Sequence, residues 1–412
     1  MSSDFQTNLQ KYADLAVHVG VNLQPGQRLF LGYNTPLEAA PLVRAITATA
    51  YQTGARLVEV LWRDEELLRL QFKYGPRESF SEYPRWRALA GLEFAERGDA
   101  RLQIGGEDPD LFQGQDPELV STLQRTTLEA LRPVSEYIMR SAQNWCVLAV
   151  PGPAWAAKVF PNLPPEEQQA RLWDVIFDIC RVNTPDPVTA WQSHIAGLLA
   201  RSRSLNEKRY AALHFRGPGT DLTVGLPEDH LWNSAQAVST SGITFTPNIP
   251  TEEVFTLPHR ERVDGVVAAT LPLSYAGTLI EGIRLVFKQG KVVEVGASSG
   301  EAVLRQVLAA DEGATRLGEV ALVPQSSPIA QQGRLFYRTL FDENAASHIA
   351  LGSAYKLSLS GGPALSDEDF TAAGGNRSVV HLDFMIGSGA IDVDGLWADG
   401  AHEPLMRCGE WA

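Results

Sequence analysis

The acidic and imidazole side chains whose types and spacing could do chemistry lie in the second half of this chain. His381 and Asp383 stand two apart in the otherwise apolar run His381-Leu-Asp-Phe-Met-Ile-Gly-Ser-Gly389. In an extended strand residues i and i+2 point to one face, so the imidazole and the carboxylate would lie side by side. Such a pair is either a satisfied hydrogen bond inside a sheet or two ligands for a divalent cation. Asn248-Ile-Pro-Thr-Glu252-Glu253-Val-Phe puts two acids after a proline-containing turn, which suits a helix start as well as a ligand position. Leu317-Gly-Glu319-Val-Ala-Leu-Val sets a lone acid at the head of a Val/Leu strand, where a buried carboxylate needs a partner. The densest stretch, Leu340 to Tyr355, holds Glu343, His348 and Tyr355 around an expected helix over Asn344–Leu351. On a continuous helix Glu343 and His348, five apart, would not share a face, whereas His348 and Tyr355, seven apart, would.

Each of these residues has an ordinary structural reading, but the set has a chemical one. Glu253, Glu319, Glu343, His348, His381 and Asp383 make a group of four carboxylates and two imidazoles without cysteine. A structural zinc uses fewer ligands and usually sulfur, whereas this group suits two divalent ions sharing a bridging carboxylate. Paired ions of this kind, roughly 3.5–4 Å apart, run the hydrolysis of amides or phosphates. A dinuclear hydrolase of another amide or a phosphoester fits the same ligands, although no Gly-rich phosphate cradle or Arg cluster lies near them. A metal-stabilised binding protein without catalysis is a further alternative. Ser353-Ala-Tyr-Lys356 matches the short S-x-x-K pattern of a serine hydrolase, but no S-D-N or K-T-G segment accompanies it.

The elements that must position these residues divide into two parts. At 412 residues the chain exceeds one ordinary core. From Asp4 to His18 apolar residues fall at helical spacing; a strand follows at Leu29–Gly32, a helix over Pro36–Thr53 and a strand over Arg56–Trp62. This strand–helix–strand rhythm, continued near Pro117–Leu131 and Trp145–Pro153, predicts a parallel-type sheet in an N-terminal α/β domain, residues 1–185. Helices Pro165–Ile179 and Pro187–Ser204 flank the break Asn183-Thr-Pro-Asp-Pro. Beyond them short strands, a Gln289-Gly290 hairpin signal and helices near Gly300–Ala310 and Asn344–Leu351 predict a C-terminal α+β domain, residues 186–412, carrying the dimetal site. The fold class expected is therefore α+β, in two domains.

Composition narrows the partners. A formal charge of -14 disfavours nucleic acid and acidic membrane surfaces. Cys146, Cys180 and Cys408 are widely spaced and odd in number, so reduced thiols are expected rather than a disulfide framework. The first twenty residues lack a basic-then-apolar leader and no window approaches a membrane span, which predicts a cytoplasmic protein.

Asn248-Ile-Pro-Thr-Glu-Glu-Val-Phe-Thr, Gly318-Glu-Val-Ala-Leu-Val-Pro, the Thr339–Tyr355 segment and His381-Leu-Asp-Phe-Met-Ile-Gly-Ser, in this order, resemble the signature segments of the thermophilic metalloaminopeptidases, the aminopeptidase T and S type. The resemblance extends to Val19–Gln27, Ala50–Arg56, Pro218–Pro227 and Asp264–Tyr275, and so spans nearly the whole chain. It implies a homodimeric exopeptidase that removes N-terminal residues from peptides using two divalent metal ions, zinc or cobalt foremost, with magnesium and manganese also fitting. Carried over position by position, it makes Glu253, Glu319, His348, His381 and Asp383 the metal ligands, with Tyr355 and Glu343 as catalytic residues beside them. Tyr355 is expected to coordinate or to donate to a developing oxyanion, and Glu343 or Glu252 to carry a proton. The Gly361–Asn376 loop is where the chain departs from the pattern, which bears on the pocket wall.

Overall fold

The structure, a computed structural model, describes residues 3–275 and 277–412. The chain forms two compact units, one made of residues up to His194 with Gln236–Pro250, the other of Ile195–Ala235 with Thr251–Ala412. Where a single break between 185 and 186 is expected, the chain instead changes unit three times, after His194, Ala235 and Pro250. Pro187–Lys208 is one uninterrupted helix, so the first of these changes falls inside it. The return of 236–250 is made by backbone pairing within the first unit. Val147 N–H donates to Pro247 O at 2.7 Å, Ile249 N–H to Val147 O at 2.9 Å and Thr246 N–H to Gly20 O at 2.8 Å. Backbone pairing across a hundred residues leaves no local sequence signal.

In the first unit β1 (Arg28–Pro36), β2 (Leu57–Arg63), β3 (Ala100–Gly105) and β4 (Trp145–Ala149) form a parallel sheet in the order β2-β1-β3-β4. Leu29, Phe30 and Leu31 are all buried, as in a strand covered on both faces. The helix Ala40–Gln52 packs Leu42, Val43, Ile46 and Ala50 inward at helical spacing. The helix predicted at 117–131 extends to Met139, opened by the Asp116 carboxylate accepting from Glu118 N–H.

Among the described residues the second unit holds three antiparallel sheets, one of them only the two-stranded pair Leu273–Tyr275 and Thr278–Ile280. Of the other two, the larger has eight strands in the order Lys291–Gly296, Arg284–Lys288, Val263–Ala268, Thr220–Gly225, Ala212–Gly217, Asp392–Leu396, His402–Arg407 and Glu410–Trp411. Its Gln289-Gly290 connection has φ of 49° and 78°, the double positive φ that a two-residue hairpin requires. The smaller sheet orders His381–Met385, His348–Gly352, Leu317–Leu322 and Val254–Thr256.

Two local expectations fail here. Asn344–Leu351 is not a helix: a 3-10 turn at Glu343–Ala345 leads into the strand His348–Gly352. Ala and Leu favour helix in isolation, but this strand is paired on both sides and all five of its residues are buried, so tertiary pairing overrides propensity. The acids at 252 and 253 likewise open the strand Val254–Thr256 rather than a helix.

Candidate metal centre

The small sheet brings the singled-out residues together through its register. Ala321 pairs with His348, Glu319 and Asp383 both pair with Ala350, and Gly352 pairs with His381. Directly paired residues share a face, as do residues two apart on one strand, so Glu319, His348, His381 and Asp383 all project from the same side. Phe255, opposite Ala321, lies on that side too. Ala321 and Ala350, set between the larger side chains, leave room above the sheet. Gly352 has φ of +104°, and a Cβ there would stand 2.1 Å from Val380 O, so a side chain would push apart the pairing that carries His381.

Within this face the polar atoms converge. His348 Nε2 lies 3.1 Å from Glu253 Oε2 and 3.5 Å from Glu319 Oε1. His381 Nε2 lies 3.9 Å from Glu319 Oε2 and 3.4 Å from Asp383 Oδ1. The two oxygens of Glu319 thus face different imidazoles. Glu253, Glu319 and His348 each offer a ligand atom within 4.8 Å of the others, and so do Glu319, His381 and Asp383, with Glu319 common to both groups.

Each imidazole is oriented from behind. His348 Nδ1 stands 3.1 Å from Ala346 O and His381 Nδ1 stands 2.8 Å from Ser353 O. A carbonyl can only accept, so both Nδ1 atoms donate, which turns each Nε2 toward the carboxylates, as an N–H in the protonated ring and as a lone pair wherever a cation takes that proton's place. Glu253 Oε2 and Asp383 Oδ1 are buried and make no hydrogen bond of acceptable geometry, although each lies within ion-pair distance of an imidazole. Buried carboxylate oxygens without a donor are costly. A mixed oxygen and nitrogen donor set with two such oxygens fits divalent cations.

Burial and crowding shift Glu319, Glu343, Asp383 and both imidazoles. Burial raises the Glu319 carboxyl above its usual range, against the pull of His348 and His381. Glu343 is pushed well up by burial and then by the negative charges of Asp383 and Glu253. Burial works to lower both imidazoles, but the carboxylates outweigh it. His348 is raised well above the ordinary value by Glu253 and Glu319, and His381 is pushed up to about 10, chiefly by Asp383. For Asp383 burial opposes, and His381 prevails, so its carboxyl is held low. The site draws in positive charge, as protons or as cations.

Tyr355 follows the His348 strand, its ring 5.2 Å from that of His381 and 6.3 Å from that of Phe255. Burial and the surrounding carboxylates raise its phenol well above 10.0, which keeps it a hydrogen-bond donor. The side chain of His381 is 24% exposed against 1% for His348, so the centre opens on the His381 side. The serine-hydrolase pattern has no geometric support: Lys356 Nζ donates to Leu365 O and pairs with Asp367 at 2.9 Å. Sequence reasoning missed the carbonyls of Ala346 and Ser353 and the amide of Asn344, because nothing in their residue types marks them.

Known proteins resemble this chain over nearly its whole length. The family described as Thermophilic metalloprotease (M29) matches residues 5–411. Aminopeptidase 2 of Geobacillus stearothermophilus is 48% identical over 408 residues, covering 99% of this chain and 98% of that protein. Aminopeptidase T of Thermus thermophilus is 48% identical over 407 residues, 99% of each. The solved structure of wild-type AmpT from Thermus thermophilus superposes with a TM-score of 0.93 at 47% identity, covering 99% of this chain and all of that one. The chain belongs to the M29 metalloprotease family, with an α+β fold of the aminopeptidase T type.

Proposed function

We propose that this chain is a metal-dependent aminopeptidase whose centre is built from Glu253, Glu319, His348, His381 and Asp383. The observation that carries the reading is the placement of Glu319 in both ligand groups, one oxygen toward each histidine. Glu253, Glu319 and His348 would hold one cation and Glu319, His381 and Asp383 a second. When bound, such a pair supplies Lewis-acid polarisation of the scissile carbonyl and lowers the proton affinity of water.

The protein's own groups supply the rest. Tyr355, held protonated beside His381, donates to the oxygen on which negative charge develops. Glu343 is buried beside the carboxylates of Asp383 and Glu253, and burial together with their negative charge holds its proton on; with that charge offset by cations it would take a proton from the attacking water and pass it to the leaving amine. The net negative lining receives the free α-amino group of a peptide. Zinc and cobalt suit the mixed donors best, and magnesium and manganese also fit them.

Exposed Leu67, Tyr74 and Trp86 in the first unit support a homodimer that would cover them. The free thiols of Cys146, Cys180 and Cys408 suit a cytoplasmic location. Among the described residues no helix is long and apolar enough to cross a membrane.

An aminoacyl chromogenic amide, assayed before and after chelation and after restoring single metals, tests the function. Turnover should vanish with chelation and return with metal. Metal-loaded, folded protein that left free-amine substrates intact would overturn the reading.

A further inference from the structure

Between Glu343 and the His348 strand stands Asn344, which is fully buried and which the mechanism above does not use. Its side-chain amide is engaged at both ends. Oδ1 accepts from the backbone N–H of Glu252 at 2.7 Å. Nδ2 donates to Leu340 O at 3.0 Å and reaches Glu343 Oε1 at 3.4 Å. The orientation of the amide follows from its partners: turned over, it would set its oxygen against a carbonyl and a carboxylate and its NH2 against an N–H. The backbone is held as well, since Ser327 Oγ donates to Asn344 O at 2.9 Å.

One end of this amide touches the residue immediately before the ligand Glu253, and the other touches the acid assigned to proton transfer. These two residues, Glu252 and Glu343, lie on separate segments, 91 positions apart in the chain. Few side chains could replace it. Aspartate has the same shape and keeps the acceptor for Glu252 N–H, but it offers no donor toward Leu340 O and Glu343. Alanine loses both ends.

We infer that Asn344 is a positioning residue that sets Glu253 and Glu343 in register with each other, through one buried amide joining the Glu252 backbone to the Glu343 carboxyl. The inference rests on the ligand and proton-carrier roles proposed above. Groups that orient ligands from behind typically change metal affinity or activity by roughly 10–100-fold when removed.

The two variants Asn344→Asp and Asn344→Ala separate the two ends. Cation affinity is read by equilibrium dialysis of zinc against a competing chelator, kcat and KM on an aminoacyl amide, and folding by thermal melting of the metal-free chain. Asn344→Ala should bind zinc about 10–100-fold more weakly. Asn344→Asp should bind zinc within about threefold of the parent while kcat falls roughly 10–100-fold at little-changed KM.

Zinc affinity and kcat of Asn344→Ala equal to those of the parent would overturn the inference. So would losses in both variants that merely track a lowered melting temperature, which would make Asn344 a packing residue. Glu253→Gln serves as the control for the underlying reading. If that variant bound zinc like the parent, the ligand assignment itself would fail, a result distinct from either outcome for Asn344.

Discussion

Replacing Glu319 with glutamine removes one charge and almost no volume from the centre, which makes it the sharpest single perturbation of the site. The two oxygens of Glu319 lie 3.5 and 3.9 Å from the imidazole nitrogens that flank them. At about 4 Å and an effective dielectric of ~20, a pair of unit charges interacts by ~4 kcal/mol. With ~1.36 kcal/mol per tenfold, losing that charge beside even one unit of positive charge weakens binding roughly a thousandfold. The metal-free fold should hardly notice. Burial already penalises the Glu319 charge, so a neutral amide of the same shape removes a desolvation cost along with the attraction to His348. The expected result is a metal-free protein melting within about 4 °C of the parent, roughly 1 kcal/mol for a chain of this kind. It should bind zinc far more weakly and turn over an aminoacyl amide at or near background. Zinc titration by calorimetry, with turnover and melting measured on the same preparations, is the assay. Parental zinc affinity, or turnover within about threefold of the parent, would refute Glu319 as a metal ligand.

Further expectations follow from the same geometry. Tyr355→Phe keeps the ring against His381 and Phe255 but removes the donor, so kcat should fall roughly 100-fold with little change in KM or melting; an unchanged kcat would exclude the phenol from the reaction. The metal-free protein should lose stability as pH rises. The raised imidazoles of His348 and His381 contribute fully below the unfolded value of about 6.5, and for His381 that contribution is gone once pH passes about 10. Raised Glu319 and Glu343 act in the same direction, whereas Asp383, held low, contributes above the unfolded value of about 3.9 and loses its share only as pH falls through its folded value. Denaturant midpoints with chelator should therefore decline from about pH 6.5 toward 10, and a flat profile would refute the charge balance. Because cations replace protons on these groups, added zinc should stabilise more at pH 8 than at pH 6 and approach ~4 kcal/mol at about a thousand times Kd. Equal melting shifts at both pH values would contradict this.

Much of the chemistry was legible in residue types. Glu253, Glu319, His348, His381 and Asp383 declared themselves as oxygen and nitrogen donors without cysteine, and the parallel character of the first sheet followed from the strand–helix rhythm. The i, i+2 spacing of His381 and Asp383 correctly placed both on one face of a strand. The Gln289-Gly290 turn was equally readable, because its positive φ values select their residues locally. These are properties of a few neighbouring residues, and neighbouring residues are what a sequence displays.

Tertiary structure decided the rest. It turned Asn344–Leu351 from an expected helix into a turn and a central strand, since pairing on both edges outweighs the helical preference of Ala and Leu. It drew 236–250 back into the first unit. It chose Ala321 and Ala350 as the small residues beneath the centre, and carbonyls of Ala346 and Ser353 as the groups that fix each imidazole. Above all it set one oxygen of Glu319 toward each histidine. A residue type states what an atom can bind; which atoms meet depends on strand register and burial, and those are settled only when distant segments pack together.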